Sequence, residues 1–386
     1  MTAPTPPPAT CPIGWQPNAL TPVFYGARTY GTAHGAPVSM RVYFPSLDGA
    51  VETAPILSGC GRYPVVLFVH GDCDQDPNHF RTWVQLPAQL ARSGYVVVVP
   101  QLPAIGTHPS AENHPALAAI ANSLTWLRQQ WEHRTVLMPA AATGITGHSY
   151  GALLAARYAR ANTVAGFAGL SGVWQDWPVG SPPIIGLARP KLLLWGGPED
   201  LFTSLTETQW NSLSTPKHRA VFATGVHWDY LPTGQTPCDA TRGPCRLIAS
   251  AAADLVTMFF AKYLAPELSP HLPGRVPDNL MPPALVLTPE QEFYAGGHLI
   301  GMRNMAGNPD CAVALTAVTG TERTVPLVLE SSQSSADQEV RNAGLLPRFT
   351  GAGGANAWVS SQSPRADTRV PAGSTVTMAL RTGPIP

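Results

Sequence analysis

The chain has 386 residues and a formal net charge of zero, 24 Lys+Arg against 24 Asp+Glu, and only 12% of its residues are charged. That is about half the share usual in soluble globular domains. Neutrality without a block of Lys or Arg excludes the electrostatic footprint of a nucleic-acid or anionic-membrane binder, while 44% hydrophobic residues suffice for a core despite 41 prolines and 35 glycines.

The N-terminal MTAPTPPPATCPIGWQP has neither a basic nor an apolar region of the signal-peptide kind. Residues 1–20 therefore read as the exposed leader of a mature exported protein whose signal has been removed. From about residue 21, apolar runs alternate with helical stretches. FYGARTY (24–30) and VSMRVYFP (38–45) predict two antiparallel strands. PVVLFVHG (64–71) has the unbroken apolar pattern of a strand buried on both faces. Phe80–Ser93 predicts a helix, with Trp83, Leu86, Leu90 and Ala91 on one stripe and Gly94 just past its end. YVVVVPQ (95–101) predicts another buried strand and Pro115–Glu132 another helix.

ATGITGHS (142–149) is a strand running into a turn, and Tyr150–Ala161 is the helix after it. VAGFAGLSG (164–172), KLLLWGG (191–197) and RAVFATG (219–225) predict further strands, and a long helix at Arg246–Leu264 stops at Pro266. Its apolar stretch contains Asp254 and Lys262, which makes it a buried helix and not a membrane span. Strand–helix alternation predicts an α/β domain over 21–265, a mainly parallel sheet with helices on both faces. Residues 266–321 comprise a proline-rich connector (266–283) and β-like runs, LVLT, HLIGM and CAVALTAV, whose fold the pattern leaves unassigned. Residues 322–386 form a further unit.

The six cysteines, Cys11, Cys60, Cys73, Cys238, Cys245 and Cys311, contain no CxxC pair and no zinc-ligand spacing. CDATRGPC, rich in turn formers, predicts a Cys238–Cys245 disulfide. The strand between Cys60 and Cys73 holds its ends roughly 20 Å apart, too far for a direct bridge. Only the 238–245 pairing is expected.

Gly147-His148-Ser149-Tyr150-Gly151 matches G-x-S-x-G between a predicted strand and a predicted helix, where a sharp turn lifts the serine above the sheet edge. Ser149 is the candidate nucleophile and needs a general base. Functional groups in open α/β sheets gather beyond the carboxyl ends of the strands. His218 precedes its strand, and His70 and His148 lie inside other motifs. His34, His79, His108, His114, His133, His271 and His298 follow no late strand. His227, in GVHWD between the last strand and the last helix, is the candidate base.

The acid of a Ser…Asp/Glu…His order falls in Gly197-Pro198-Glu199-Asp200. Asp200 is chosen, with Glu199 as local and Asp176 as remote rival. The backbone N–H groups of Tyr150 and Asp72, the latter after His70-Gly71, are the expected oxyanion donors. Asp72, Asp74 and Asp76 form a D-x-D-x-D run. Pro77 stands at position six, where a calcium loop needs Gly, and Trp83 at position twelve, where it needs Glu. No metal and no cofactor are expected.

HGD, GHSYG, GGPED and GVHWD fall in the order of the α/β-hydrolase superfamily, which residues 21–265 resemble. The nearest likeness is to dienelactone-hydrolase-like, acetylhydrolase-like and cutinase-like esterases, which include polyester hydrolases. The resemblance implies an aromatic clamp on the acyl group in the loop that carries Trp174 and Trp177, and Trp174 and His148 are the expected substrate contacts. About 18 residues separate Gly172 from Lys191, too few for a helical cap domain. The expected site is an open groove for uncharged, bulky or polymeric esters.

Residues 322–383 resemble a PASTA domain, a module of bacterial wall-associated kinases and penicillin-binding proteins. The likeness runs through Val325-Pro326-Leu327-Val328, Ala336, Gly344-Leu345, Gln362-Ser363-Pro364, Val370, Gly373-Ser374 and Val376, with Glu330 and Asp367 where the pattern has glycines. It implies secreted or wall-associated placement and peptidoglycan or glycan contact. The combined expectation is an exported bacterial serine esterase. The competing readings are a wall-binding protein with a vestigial hydrolase, and an acyltransferase or amidase using the same triad.

Overall fold

Runs of apolar residues set the framework. The computed structural model describes residues 9–10, 24–71, 78–103, 114–174, 184–197, 205, 207–214, 216–231, 247–264, 313–318, 322–343, 345–351, 353–354, 357–366, 369–371 and 374–382. The first strands are β1 (Ala9–Thr10), β2 (Phe24–Tyr30), β3 (Met40–Ser46), β4 (Leu57–Ser58), β5 (Val65–Val69) and β6 (Val96–Pro100). They are followed by β7 (Thr143–His148), β8 (Gly166–Leu170), β9 (Lys191–Gly196), β10 (Lys217–Phe222) and β11 (Val313–Val318). Nine of them form one sheet in the order β11-β10-β9-β8-β7-β5-β6-β3-β2. Neighbours from β6 through to β10 run parallel, whereas β3 is antiparallel to β6 and β2 antiparallel to β3.

Every residue of β5 and β6 is buried, as a sheet covered on both faces requires. Alternate side chains go to opposite faces. Val65, Leu67, Val69, Val96 and Val98 join the core under α2 (Pro115–Gln129) and α3 (Tyr150–Ala161). Val66, Phe68, Val97 and Val99 join the core under α1 (Gln85–Arg92) and α5 (Ile248–Tyr263). Asp254, the charge inside the apolar α5, is buried and accepts from Gln89 Nε2 of α1 at 2.7 Å. Between β8 and β9 the described residues contain no helix.

The helix expected from Phe80 begins only at Gln85, after a short 3₁₀ turn at His79–Arg81. Pro87 is the reason. A helix started earlier would place it in the interior, without an N–H and with its ring against the Trp83 carbonyl; starting at Gln85 leaves it in the first turn, where proline is tolerated. The Trp83 carbonyl instead accepts from Tyr43 Oη at 3.2 Å.

β5 lies between β6 and β7, so the connection leaving β5 runs toward β6 while that leaving its neighbour β7 runs the other way, toward β8. The crevice beyond the carboxyl ends of β5 and β7 is thus the switch point, where open α/β sheets bind ligands. CAVALTAV, from the stretch left unassigned beyond 265, supplies β11 beside β10. The compact first unit runs Met1–Ala317, past the expected boundary, and the second is Val318–Pro386. Cys60, one of the four cysteines whose pairing the sequence leaves open, is disulfide-bonded. Spacing along the chain was a poor guide here because β4, just before Cys60, is joined in parallel by the distant β1, with Thr10 opposite Ser58. Cys238 and Cys245 lie outside the described residues.

The second unit contains β12 (Glu322–Thr324), α6 (Gln333–Asn342), β13 (Leu346–Gly351), β14 (Ala357–Ser363), β15 (Arg369–Pro371) and β16 (Thr375–Thr382). β16 is central, parallel to β13 and antiparallel to β14, and β12 pairs with β15. Ser332 Oγ caps α6 by accepting from the Ser335 N–H at 3.2 Å. Ala336 and Val340 of that helix pack into a core with Val359, Val376 and Met378. Glu330, at a glycine position of the PASTA pattern, has a left-handed backbone, with φ 64°.

A buried basic pair marks the amino end of the sheet. Lys191 and Lys217 sit opposite each other at the first positions of β9 and β10. Lys217 Nζ donates to the Trp210 carbonyl at 2.6 Å, within α4 (Glu207–Ser212), and Lys191 Nζ to the Ser214 carbonyl at 2.6 Å. Cations on the carbonyls at a helix C-terminus complement its dipole. Burial, with Lys217 beside it, lowers the Lys191 pKa to about 8.

Two expected outcomes follow from these placements. Between pH 8 and about 10.4, folded Lys191 has released a proton that the unfolded chain still binds, so stability rises with pH across that window. Lys191→Met should remove that rise in urea midpoints measured at pH 7.5 and 10; an unchanged rise would refute the assignment. Glu330→Gly should stabilise the second unit by about 1 kcal/mol, the order of the left-handed penalty for a residue with a Cβ. Calorimetry of the full chain reads this, and an unchanged or lowered transition would count against it.

Candidate active site

β7 ends on His148 and α3 begins at Tyr150, so Ser149 makes the turn, at φ 56° and ψ −130°. Such backbone strain at a nucleophile is what a strand-to-helix elbow imposes. The flanking glycines supply clearance. A Cβ on Gly147 would stand 2.6 Å from the Gly151 carbonyl oxygen and 2.8 Å from that of Val69, and one on Gly151 would fall onto the carbonyls of Val69 and His70. The Ser149 N–H donates to the Leu170 carbonyl at 3.1 Å, and its own carbonyl accepts from Ala152 at 3.0 Å and Val173 at 3.2 Å.

The loop after β10 brings His227 to this turn. Ser149 Oγ lies 2.8 Å from His227 Nε2. On the far side of the ring, His227 Nδ1 lies 2.9 Å from Ser171 Oγ. With the Ser149 hydroxyl donating to Nε2, the ring proton is on Nδ1 and Ser171 Oγ accepts it. The loop is clamped by buried Asp229, whose Oδ2 accepts from the Val226 N–H at 2.9 Å and whose N–H donates to the Val226 carbonyl at 3.0 Å. The Gly197 N–H, just beyond β9, donates to the Gly225 carbonyl at 3.1 Å.

His148 is not positioned to touch substrate. Its side chain is fully buried, and Nε2–H donates to the His227 carbonyl at 2.8 Å. Its ring lies 4.7 Å from that of His227, 4.9 Å from Trp83 and 5.8 Å from Trp228. As the last residue of β7 it points into the layer under the sheet, so its work is to hold the loop of the base. Trp174 is corrected in the same way. It is 1% exposed, its ring lies edge-on to Phe167 at 6.1 Å, and it fills the space above Gly169 and Gly172, so it is core and not a substrate wall.

Tyr150 opens α3, where a helix leaves its N–H groups without intrahelical partners and carries partial positive charge. Gly71 abuts the nucleophile: a Cβ there would lie 2.9 Å from Ser149 Cβ. Asp72, the other expected oxyanion donor, lies outside the described residues, as do Asp74, Asp76, Asp176, Glu199 and Asp200. His70 ties this turn to the loop after β6. Its Nε2 accepts from the Leu102 N–H at 3.0 Å, so Nδ1 carries the proton and donates to the Gly71 carbonyl at 2.8 Å. Burial, aided by His79 nearby, lowers its pKa to about 3 and keeps it neutral.

Two residues at the site went unassigned in the sequence. Asp229 was visible inside GVHWD. Ser171 carries no motif, and its one signal is a hydroxyl at the carboxyl end of the strand next to the nucleophile's.

Comparison with known proteins adds the lineage. The profile described as the alpha/beta hydrolase family matches residues 66–314, and that of the PASTA domain matches residues 323–380. A solved structure, a ferulic acid esterase from Streptomyces cinnamoneus, is 20% identical and aligns over 67% of this chain and 94% of its own, with a TM-score of 0.46. No curated protein matches. The strand order, the elbow at Ser149 and a profile that spans well over half of the sequence agree: the chain belongs to the alpha/beta hydrolase family.

Proposed function

We propose that the protein is a serine hydrolase of uncharged carboxylic esters, working through an acyl-enzyme. The observation that carries this reading is the 2.8 Å contact between Ser149 Oγ and His227 Nε2 at the switch point of the sheet. In this mechanism His227 Nε2 takes the Ser149 proton as Oγ attacks the ester carbonyl. Asp200 steadies the imidazolium, and the Tyr150 and Asp72 amides hold the oxyanion. His227 then protonates the departing alcohol. Water, deprotonated by the same nitrogen, releases the acid and regenerates Ser149. The short β8–β9 connection favours an open groove and bulky or polymeric esters as substrates.

A second proposal concerns the C-terminal unit, and the PASTA match and a groove of about 750 Å³ favour it. Gln333, Asp337, Gln338, Arg341, Asn342 and Phe349 line that groove, an amide-rich wall with one aromatic ring. Such a lining suits the hydroxyl and amide groups of a wall glycan, and placement outside the cytoplasm belongs to the same reading. No helix among the described residues is long and apolar enough to cross a membrane.

Ser149→Ala should lower turnover of p-nitrophenyl esters from C2 to C16, and of an insoluble aromatic polyester, by roughly 10⁶, the loss typical of a triad serine. Undiminished hydrolysis by the variant would end the proposal. Sedimentation of the full chain with purified peptidoglycan, beside a Phe349→Ala variant, tests the second: capture should weaken in the variant, and absence of capture by the parent refutes it.

A further inference from the structure

We infer that Ser171 is a positioning residue for the histidine base, holding the His227 ring in the rotation that keeps Nε2 on the nucleophile; the inference rests on the serine-esterase reading above. Ser171 is the first residue past β8, and β8 pairs directly with the nucleophile strand β7. Its side chain is fully buried, with Oγ 2.9 Å from His227 Nδ1. Its N–H is fixed to the Leu194 carbonyl of β9 at 2.7 Å, and two residues on the Val173 N–H reaches the Ser149 carbonyl at 3.2 Å. One short segment therefore touches both the nucleophile turn and the base.

The backbone adds an independent observation. Ser171 has φ 44°, a left-handed conformation disfavoured for any residue with a Cβ and natural to glycine. Glycine at this position would relieve the strain. What glycine lacks is the oxygen that meets Nδ1. Strain of this kind gathers where function over-determines the geometry.

The proton accounting is simple. Nε2 receives the Ser149 proton and passes it to the leaving alcohol, while the Nδ1 proton stays in place throughout. Ser171 Oγ accepts the Nδ1–H bond before and after that transfer and gives up no proton of its own. As an uncharged acceptor it fixes orientation, and the negative charge that favours the imidazolium comes from the proposed acid. His148 holds the backbone of His227 and Ser171 holds its ring, so the two contacts divide the positioning.

Ser171→Gly in the full chain separates this role from a packing role, because it removes the hydroxyl and relaxes the backbone together. We expect kcat on p-nitrophenyl esters to fall about 10- to 100-fold, the range for a lost hydrogen bond to a group that becomes charged. KM should stay within about twofold and the thermal midpoint should be at or above the parent's. Ser171→Asn, which tolerates left-handed backbone and restores an acceptor oxygen, should recover part of the loss. Independently of turnover, the low-field proton resonance of His227 Nδ1–H should move in the glycine variant. The inference is overturned if Ser149→Ala is inactive while Ser171→Gly keeps kcat within about twofold of the parent, or if lost activity merely tracks a lowered thermal midpoint. Full activity in Ser149→Ala would instead remove the esterase reading on which it stands.

Discussion

Close approach between the nucleophile turn and the end of β5 is the constraint on which the site depends. Gly151, in the first turn of α3, rests on the carbonyls of Val69 and His70, and Gly71 rests on Ser149 itself. No side chain fits at these contacts, so the glycines of G-x-S-x-G act as much by clearance as by turn conformation. The strand order makes the contact possible, since β5 and β7 are neighbours although β6 lies between them in sequence. His70, neutral and bonded at both ring nitrogens, then secures the β5 end to the loop after β6. The valine-rich strands thus set the position of the serine through their carboxyl ends.

The base is held from several directions, none of which involves substrate. Its carbonyl accepts from His148, its loop is closed by Asp229, and the loop start is tied to the β9 end through Gly197 and Gly225. Its ring lies between two serine oxygens at 2.8 and 2.9 Å. Catalytic groups need to be held within fractions of an ångström, and buried contacts from neighbouring strands do this better than an exposed loop alone. The histidine inside the motif is accordingly given to support. Its ring is fully buried and lies tilted against those of Trp83 and Trp228.

Much of this was legible in the sequence, and the parts that were not share a cause. VVLFV and VVVVP announce fully buried strands because no polar residue interrupts them, and Ser149 and His227 are legible because each follows a strand in a fixed order. The start of α1 slipped because the apolar stripe runs back to Phe80 whereas Pro87 decides where a helix can begin. His148 was misplaced because nearness in sequence to the nucleophile says nothing about direction, and Trp174 because a resemblance that puts an aromatic in a loop does not fix which way its ring turns. His148 points into a layer set by strand alternation, and Trp174 turns inward over two glycines that leave room for its ring. Ser171 had no signature at all, since only the pairing of β8 with β7 brings it to the base. Glu330 shows the reverse case: a left-handed backbone, natural to glycine, at a position where the sequence has none.

Sparse charge is also put to a particular use. Buried Lys191 and Lys217 point into backbone carbonyls around the end of α4. Arg128 bonds the Met138 carbonyl at 2.8 Å and Thr143 Oγ1 at 2.6 Å, and Arg28 bonds the Glu52 carbonyl at 3.2 Å. Each cation gathers the acceptors that turns and helix ends leave over, which a neutral side chain with fewer donors would satisfy less fully. Contacts of this kind, with little solvent between the groups, are screened by salt much less than exposed ion pairs. A formal charge of zero therefore does not mean that charge is idle: several cations brace the sheet from within, at the start of β7, β9 and β10 and along the edge strand β2. Beyond the carboxyl ends of β7 and β10 stand instead the nucleophile, the histidine and the carboxylate of Asp229 that clamps the histidine's loop.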